Sequence, residues 1–262
     1  MKRFLFLFIA SCALANDTAI HDGSDGPTPI GDRRGPESVV RMVREHLDIS
    51  FGKKETAVRA TFVFLNTKRA APARQTVGFP DITAMAASAS YDGADFTGPI
   101  KDLVTLVNGR ERQTRQLLGR VNHRDGIDEP APPGEKGEFE RIWHAIDVEF
   151  PVGQEVVIER RYRVSNGSSV AAAPEIFFQY STATGGVWQG TIGEMIADVT
   201  LKEGLTVDGL LWESAHGAGV SPSRKHWRIQ SPTKMQLVWK NFEPRTESNR
   251  RSFRISRPLT SD

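Results

Sequence analysis

Hydrophobic and polar residues alternate with a period of two along much of this chain. In the stretch ETAVRATFVFLN, one face holds Val58, Ala60, Phe62 and Phe64. Successive side chains of a β-strand point to opposite faces, so this alternation predicts a half-buried strand. The preceding stretch, SVVRMVREHLDIS, has the same rhythm. Its predicted inner face contains Val39, Arg41, Val43, Glu45, Leu47 and Ile49.

Turn signals separate these runs from the ones that follow. The strand-like stretch ARQTVGF stops at Pro80, and Asn108-Gly109 is a favoured pair for a two-residue hairpin turn. Residues 110–121 fit either a strand or a short helix, because Glu111 and Arg115 have the spacing of a helical ion pair. The pattern leaves that choice open.

The second half of the chain continues the alternation. The stretch FERIWHAIDVEF places Ile142, His144, Ile146, Val148 and Phe150 on one face, and EVVIERRYRVSNG places Val156, Ile158, Arg160, Tyr162 and Val164 on one face. Further strands are predicted at 194–203, 206–213, 224–230, 234–242 and 250–257. Short strands at this spacing, without a long helical period, predict an all-β fold of antiparallel β-sandwich architecture with little helix.

The domain organisation follows from the stretches that interrupt the alternation. Residues 122–138 are the least apolar part, and Pro130, Pro132 and Pro133 disfavour regular structure there. We predict two packed β domains after a targeting segment. The segments are a signal peptide at 1–15, an irregular N-terminal arm at 16–37, a first β domain at 38–128, a linker at 129–138 and a second β domain at 139–262.

The N-terminal stretch MKRFLFLFIASCALAND has the three parts of a secretory signal. Lys2 and Arg3 precede an apolar run, and Ala13-Leu14-Ala15 matches an A-x-A cleavage site. Cleavage is therefore predicted before Asn16. The alternative is lipid attachment at Cys12, because Ile-Ala-Ser-Cys resembles a lipoprotein box. Either route exports the chain, to the periplasm or beyond the cell.

Cleavage after residue 15 changes what the composition means. It removes Cys12, the one cysteine, so the mature chain has no disulfide and no thiolate ligand. It also leaves 32 basic and 32 acidic residues, and a neutral chain predicts no nucleic-acid partner. No later segment is apolar enough to predict a transmembrane helix.

Motifs for catalysis or for metal binding are weak. Residues 231–234, Ser-Pro-Thr-Lys, fit an S-x-x-K pattern but fall between two predicted strands rather than at a helix start. The six histidines include none that lies two to four residues from another, and His144 is interpreted as a hydrogen-bonded core residue. We therefore predict no catalytic residue, no metal and no cofactor.

Asp147 and Glu149 form the one carboxylate pair that suggests hydrolysis. They point the same way from a predicted strand, with Cα atoms about 6.5–7 Å apart from the strand rise. Glycosidases need only two such carboxyl groups. The alternative is cross-strand ion pairing on a solvated face with the charged residues of the next strand.

Two charged residues, Glu45 and Arg160, occupy apolar rows. A charge that faces a core is costly unless it is paired. Each is therefore predicted to have a buried partner that helps to define strand register, and the two are candidates to pair with each other.

Several segments together resemble a known family. They are the start NDTA, the strands REHLDIS and AVRATFVFLN, the strand end VGFPDI, and the loop YSTATGGVWQGTIG, within roughly residues 16–82 and 139–203. Over these segments the chain resembles the secreted bacterial domain-of-unknown-function family number 4424. The early strands also resemble the VIT domain of inter-α-trypsin-inhibitor proteins, a β-sandwich interaction module. Neither resemblance implies a reaction or catalytic residues.

The loop TATGGVWQGTIG raises two interpretations of its tryptophan. Trp188 lies among glycines that permit unusual backbone conformations, so it can fold back as a plug over its own core. Alternatively, Trp188 is an exposed platform that binds a sugar or a partner peptide with Tyr180 and Thr184.

These observations favour an exported, non-catalytic cell-envelope β-sandwich protein that binds or scaffolds an envelope protein or a polysaccharide. The alternative is a carboxylate-based hydrolase that acts on polysaccharide through Asp147 and Glu149. A cleft that raises the pKa of these carboxyl groups favours the enzyme, and a flat, ion-paired face favours the binding protein.

Overall fold

Three β-sheets, built from the alternating stretches, make up the described part of the chain. The computed structural model describes residues 28–30, 39–67, 72–81, 100–120, 140–169, 174–182, 185–186, 188–212, 222–244 and 251–259. Within them the strands are β1 (Thr28–Ile30), β2 (Val40–Phe51), β3 (Glu55–Asn66), β4 (Ala73–Asp81), β5 (Ile100–Val107), β6 (Arg110–Glu111), β7 (Arg115–Arg120), β8 (Glu140–Phe150), β9 (Glu155–Ser165), β10 (Gly167–Ser169), β11 (Glu175–Ser181), β12 (Ile192–Leu201), β13 (Arg228–Ser231), β14 (Lys234–Phe242) and β15 (Ser252–Pro258). The predicted all-β class with little helix is confirmed, since the helical pieces in these ranges are short 3-10 turns, among them Val207–Gly209 and Arg224–His226.

The sheets have a simple arrangement. The large sheet has eight strands in the order β13-β14-β12-β2-β3-β9-β5-β6, and smaller sheets have the orders β1-β4-β8-β7 and β10-β11-β15. All neighbours are antiparallel except β12 and β2, which are parallel. Phe79 of β4 packs on Phe62 of β3, and Phe253 of β15 packs on Trp239 of β14. The two small sheets therefore cover different ends of the same inner face.

The predicted boundary at 129–138 lies outside the described residues, and it does not separate the strands on its two sides. β9, which follows the boundary, lies between β3 and β5, which precede it. Buried residues from all three sheets form one continuous hydrophobic core. Because strands from both predicted domains share a hydrogen-bonded sheet, the described strands do not divide into two separate β domains there.

Alternation places most core residues correctly, and a β-bulge explains the exception. Val58, Ala60, Phe62 and Phe64 are all buried, as predicted. In β2 the register with β3 shifts between Met42 and Arg44, and the buried side chains change phase at that point. Before the shift Val40 and Met42 are buried, and after it Glu45, Leu47 and Ile49 are buried. Arg41 and Val43 are only half-buried because the extra residue of a bulge rotates the strand before it.

The residues at turns explain why several other predictions are right or wrong. Asn108 and Gly109 both have positive φ, 51° and 75°, and they join β5 to β6 as the hairpin turn that was predicted. Of the ambiguous stretch 110–121, the structure describes residues 110–120, and these contain the strands β6 and β7 and no helix. Strands predicted at 206–213 and 224–230 are partly wrong, because each contains a 3-10 turn. In the first, Val207 and Leu210 are both buried, and a spacing of three suits that turn rather than a strand.

Candidate functional site

Trp188 plugs the core and is not exposed as a platform. Its side chain is 1% exposed, and its ring centroid lies 4.5 Å from that of Phe64 and 6.2 Å from that of Phe150. Phe64 belongs to the large sheet and Phe150 to a small one, so Trp188 closes the space between them. Of the three predicted platform residues, Thr184 lies outside the described residues.

The glycines beside Trp188 allow this close packing. A Cβ atom on Gly185 would lie only 2.6 Å from Cδ1 of Ile192, so a larger residue there would displace a core side chain. The loop is also attached to the large sheet, because the backbone N–H of Gln189 donates to the carbonyl of Val40 at 2.9 Å. The glycine-rich sequence therefore serves packing of the loop against the core.

Tyr180, the remaining platform candidate, is also inside the protein and contacts Glu45. The tyrosine is 1% exposed, and its hydroxyl donates a hydrogen bond to Oε1 of Glu45, which is 2% exposed. Glu45 thus has the buried partner that the sequence predicted, but the partner is a neutral phenol from β11. Burial raises the pKa of Glu45 to about 7, and the hydrogen bond from Tyr180 only partly opposes that shift.

We expect Glu45→Gln to remove a pH dependence of stability. The pKa of Glu45 is about 7 in the folded protein and ordinarily 4.5, so the unfolded chain loses this proton first as pH rises. The free energy of unfolding of the wild type should therefore fall between pH 4.5 and 7, with a slope of at most about 1.4 kcal/mol per pH unit from this group. Urea unfolding across this pH range should show a smaller slope for Glu45→Gln. Equal slopes in the two proteins would contradict the assignment.

Arg160 is the second charged residue in an apolar row, and it is buried without a carboxylate partner among the described residues. It is 3% exposed, and neither Nε nor Nη2 has a hydrogen-bond partner there. Its guanidinium carbon lies 3.7 Å from the ring centroid of Phe79, which supplies a cation–π contact. Burial lowers the pKa of Arg160 to about 9, and nearby Tyr162, Asp81 and Tyr180 only partly offset this. The side chain is therefore still charged at neutral pH.

The structure does not bring Glu45 and Arg160 together as an ion pair. Glu45 lies opposite Phe62, whereas Arg160 lies opposite Ala60 on the other side of β3. Two strand spacings, or about 10 Å, separate their backbones across the sheet. Each side chain instead reaches the small sheet above it, Glu45 toward β11 and Arg160 toward β4.

A third buried polar group lies at the end of β4. Asp81 is 1% exposed, and its Oδ2 lies 3.0 Å from Nε2 of His144 on the neighbouring strand β8. His144 is therefore the hydrogen-bonded core histidine that the sequence predicted. The other oxygen of Asp81, Oδ1, has no hydrogen-bond partner in the described part of the chain. Sequence reasoning did not single out Asp81, and the only signal was its position after the apolar strand end Phe-Pro.

These five residues form what we call the polar seam. It consists of Glu45, Tyr180, Arg160, Asp81 and His144, which lie between the inner face of the large sheet and the two small sheets. The sequence predicted burial at Glu45 and Arg160, but it indicated Tyr180 only as part of an exposed platform with Trp188. The polar seam is the candidate functional site, because its charged groups have high burial and incomplete hydrogen bonding.

The carboxylate pair Asp147 and Glu149 lies on the outer, solvated face instead. Nη1 and Nη2 of Arg115 donate to the two oxygens of Asp147 at 2.7 and 2.9 Å, and Thr76 donates to Oδ1 at 2.6 Å. These bonds, chiefly those from Arg115, lower the pKa of Asp147 to about 2. Glu149 accepts a hydrogen bond from Nε of Arg74 at 3.2 Å. The pair lines an open depression of about 410 Å³.

The predicted ion pairing of these carboxylates is thus present, with different partners from those expected. The cations come from β4 and β7, which flank β8, whereas β9 follows in sequence but belongs to the large sheet. Asp147 stays ionised down to acidic pH, so it does not have the raised pKa that a general acid needs.

Three side chains of types that can bind metal ions lie close together on the outer face of the large sheet. Nε2 of His46 lies 2.8 Å from Oδ2 of Asp198 and 3.7 Å from Oδ1 of Asp48, and Gln236 donates to the other oxygen of Asp198 at 2.8 Å. Local spacing could not reveal this group, because Asp198 lies 152 residues from His46. All three side chains are at least one-third exposed, and His46 already pairs with the carboxylates of Asp48 and Asp198, so we assign no ion to them.

The described ranges contain no helix with the length and apolar character needed to cross a membrane.

Comparison with known proteins identifies similar folds. No protein-family model matches the sequence, and no curated protein matches it. Among solved structures, the chain is similar to a Legionella pneumophila protein whose assignment as a nutrient-binding protein is itself provisional. The TM-score is 0.64 at 17% identity, with 92% of this chain and 72% of that chain covered.

More distant similarity is to metallopeptidases. For an M1 zinc metallopeptidase mutant from Deinococcus radiodurans, the TM-score is 0.38 at 10% identity, with 88% of this chain and 45% of that chain covered. For Legionella pneumophila aminopeptidase A, the TM-score is 0.35 at 8% identity, with 90% of this chain and 23% of that chain covered. The chain spans less than half of these enzymes. At 17% identity, the similarity to the provisionally assigned nutrient-binding protein shows a shared fold alone.

Proposed function

We propose that this chain is an exported, non-catalytic binding protein of the cell envelope. The observation that carries the proposal is the polar seam, where buried Arg160 and Asp81 retain hydrogen-bonding groups without partners among the described residues. Such groups cost free energy in a structural core, and a ligand that completes their hydrogen bonds accounts for their retention. The partner classes that we propose are an envelope protein or a polysaccharide, together with small solutes that reach the polar seam.

The hydrolase alternative has less support. A glycosidase needs one protonated carboxyl group as its general acid, and burial or a like charge usually supplies the raised pKa. Asp147 is exposed and bonded to Arg115, which has the opposite effect on its pKa. Glu149 is exposed as well. The geometry therefore favours surface ion pairs over a pair of catalytic acids.

The proposed location depends on the N-terminal segment. The basic start, the apolar run and the A-x-A site support export, and lipid attachment at Cys12 remains the alternative route. The resemblance to family number 4424, whose members are secreted, agrees with export, and the resemblance of the early strands to VIT domains agrees with a β-sandwich that acts through binding. The provisional nutrient-binding assignment of the similar Legionella protein agrees with that role.

A pull-down from envelope extract tests this function. We expect immobilised mature protein, residues 16–262, to retain a specific envelope component. The variant Asp147→Asn/Glu149→Gln should retain the same component and leave purified polysaccharides uncleaved, as should the wild type. Polysaccharide cleavage by the wild type that the double variant lacks would establish the hydrolase instead. Failure to retain any envelope component or solute would overturn the binding function.

A further inference from the structure

Arg160 offers an anion-binding group inside the protein. Its charge is buried, and its Nε and Nη2 atoms have no hydrogen-bond partner in the described ranges. The ring of Phe79 contacts the guanidinium, and the carboxylate of Asp81 attracts it without a hydrogen bond. A guanidinium presents its donors as a planar fork that matches a carboxylate with two parallel hydrogen bonds. A buried charge is retained at a considerable cost unless it is paired.

Two buried groups with acceptor oxygens lie near Arg160: Asp81, whose charge acts on the guanidinium, and Thr105, its neighbour across the sheet. Among the residues that the structure describes, Oδ1 of Asp81 has no hydrogen-bond partner, while Oδ2 is bonded to His144. Thr105, which lies directly opposite Arg160 in β5, also has a buried hydroxyl without a described partner. Nearly all buried polar groups in folded proteins have partners, so the unpartnered atoms of Arg160, Asp81 and Thr105 need an explanation. A ligand that supplies an acceptor and a donor accounts for them together.

We infer that the polar seam binds a small molecule that carries both a carboxylate and a hydrogen-bond donor, such as an ammonium or hydroxyl group. This inference rests on the proposed binding function and names its ligand class. The carboxylate pairs with the fork of Arg160, and the donor bonds to Oδ1 of Asp81. A neutral sugar leaves the guanidinium charge unpaired, and a phosphate brings two negative charges close to Asp81. The amino or hydroxy carboxylate is therefore the class that satisfies both groups.

Four probes test the inference on purified mature protein by calorimetry and thermal shift. L-alanine and lactate carry both groups, acetate carries the carboxylate alone, and 2-aminoethanol lacks the carboxylate. We expect alanine or lactate to bind, acetate to bind more weakly and 2-aminoethanol not to bind. Arg160→Met and Arg160→Lys should weaken binding by about thirtyfold or more, because both remove the bidentate fork. Asp81→Asn should reduce the preference for alanine or lactate over acetate.

A neighbouring residue supplies the matched control. Arg161 follows Arg160 in β9 but points to the outer face, where Nε bonds to Glu159 at 2.7 Å. Arg161→Met should leave binding unchanged, and far-ultraviolet circular dichroism should show every variant folded. Equal binding by wild type and folded Arg160→Met, or no binding of any probe by the wild type, would overturn the inference. If the pull-down still retains an envelope component, the binding function stands without this ligand class.

Discussion

Replacing Trp188 with alanine should lower the free energy of unfolding by about 3–5 kcal/mol. The side chain is 1% exposed and touches aromatic rings of two sheets, Phe64 in β3 of the large sheet and Phe150 in β8 of a small sheet. Removing the indole takes away its burial and leaves a cavity where two sheets meet. Urea unfolding followed by far-ultraviolet circular dichroism measures the loss without relying on tryptophan fluorescence.

Two variants make the test specific. Trp188→Phe retains an aromatic ring and should cost less than Trp188→Ala. Val238→Ala removes apolar atoms from a side chain that is 40% exposed, so it should leave stability within about 0.5 kcal/mol of wild type. Unchanged stability of Trp188→Ala with loss of ligand binding would instead show that the tryptophan is a platform.

The sequence predicts the fold well where a strand has one face in the core. In β9 the buried residues Val156, Ile158, Tyr162 and Val164 follow the period of two. It predicts less where the backbone departs from a regular ladder. The bulge near Val43 leaves no distinctive signal. In β11 the neighbours Phe177 and Phe178 are both buried, so this strand is buried on both faces at that point. A continuous apolar run does not show which period a segment has.

The residues of the candidate site could likewise be predicted only in part. Glu45 and Arg160 could be identified because charges stand out in apolar rows, but their partners depend on tertiary structure. Tyr180 lies 135 residues from Glu45, and its apparent relation to Trp188 in the sequence pointed to the wrong role. Asp81 reaches the polar seam because β4 belongs to a covering sheet, and periodicity alone does not specify which sheet covers which strand.

Arg160 and Arg254 both have buried side chains, but their surroundings are opposite. Arg254 in β15 has a side chain that is 3% exposed, and its Nη1 donates to Oε1 of Glu175 at 2.6 Å. Its Nη2 donates to Oε1 of Gln179 at 2.8 Å, and its guanidinium lies 4.0 Å from the ring centroid of Phe177. Arg160 has a comparable aromatic contact, but the described residues give it neither a carboxylate nor an amide partner. Arg254 therefore has a structural role, whereas Arg160 has hydrogen-bond donors that no described residue uses.

The same substitution at these two arginines should accordingly change stability in opposite directions. Arg254→Met should lower the free energy of unfolding by about 3–5 kcal/mol, because it leaves Glu175 buried without its cation. Arg160→Met should leave the free energy of unfolding unchanged or raise it by about 1–4 kcal/mol, because it removes a buried charge that no described carboxylate pairs with. Methionine also keeps a favourable contact with the ring of Phe79. Urea unfolding of both variants without added solutes measures the difference.

The double variant Arg254→Met/Glu175→Met serves as the control. It removes both charges of the buried pair, so it should recover part of the stability that Arg254→Met loses. A loss of several kcal/mol in Arg160→Met would mean that Arg160 is held by its surroundings as firmly as Arg254, and the case for a ligand in the polar seam would fail. If Arg160→Met keeps the stability of the wild type but loses solute binding, Arg160 serves binding rather than folding. Residues retained for binding commonly lower stability, so this is the combination that we expect.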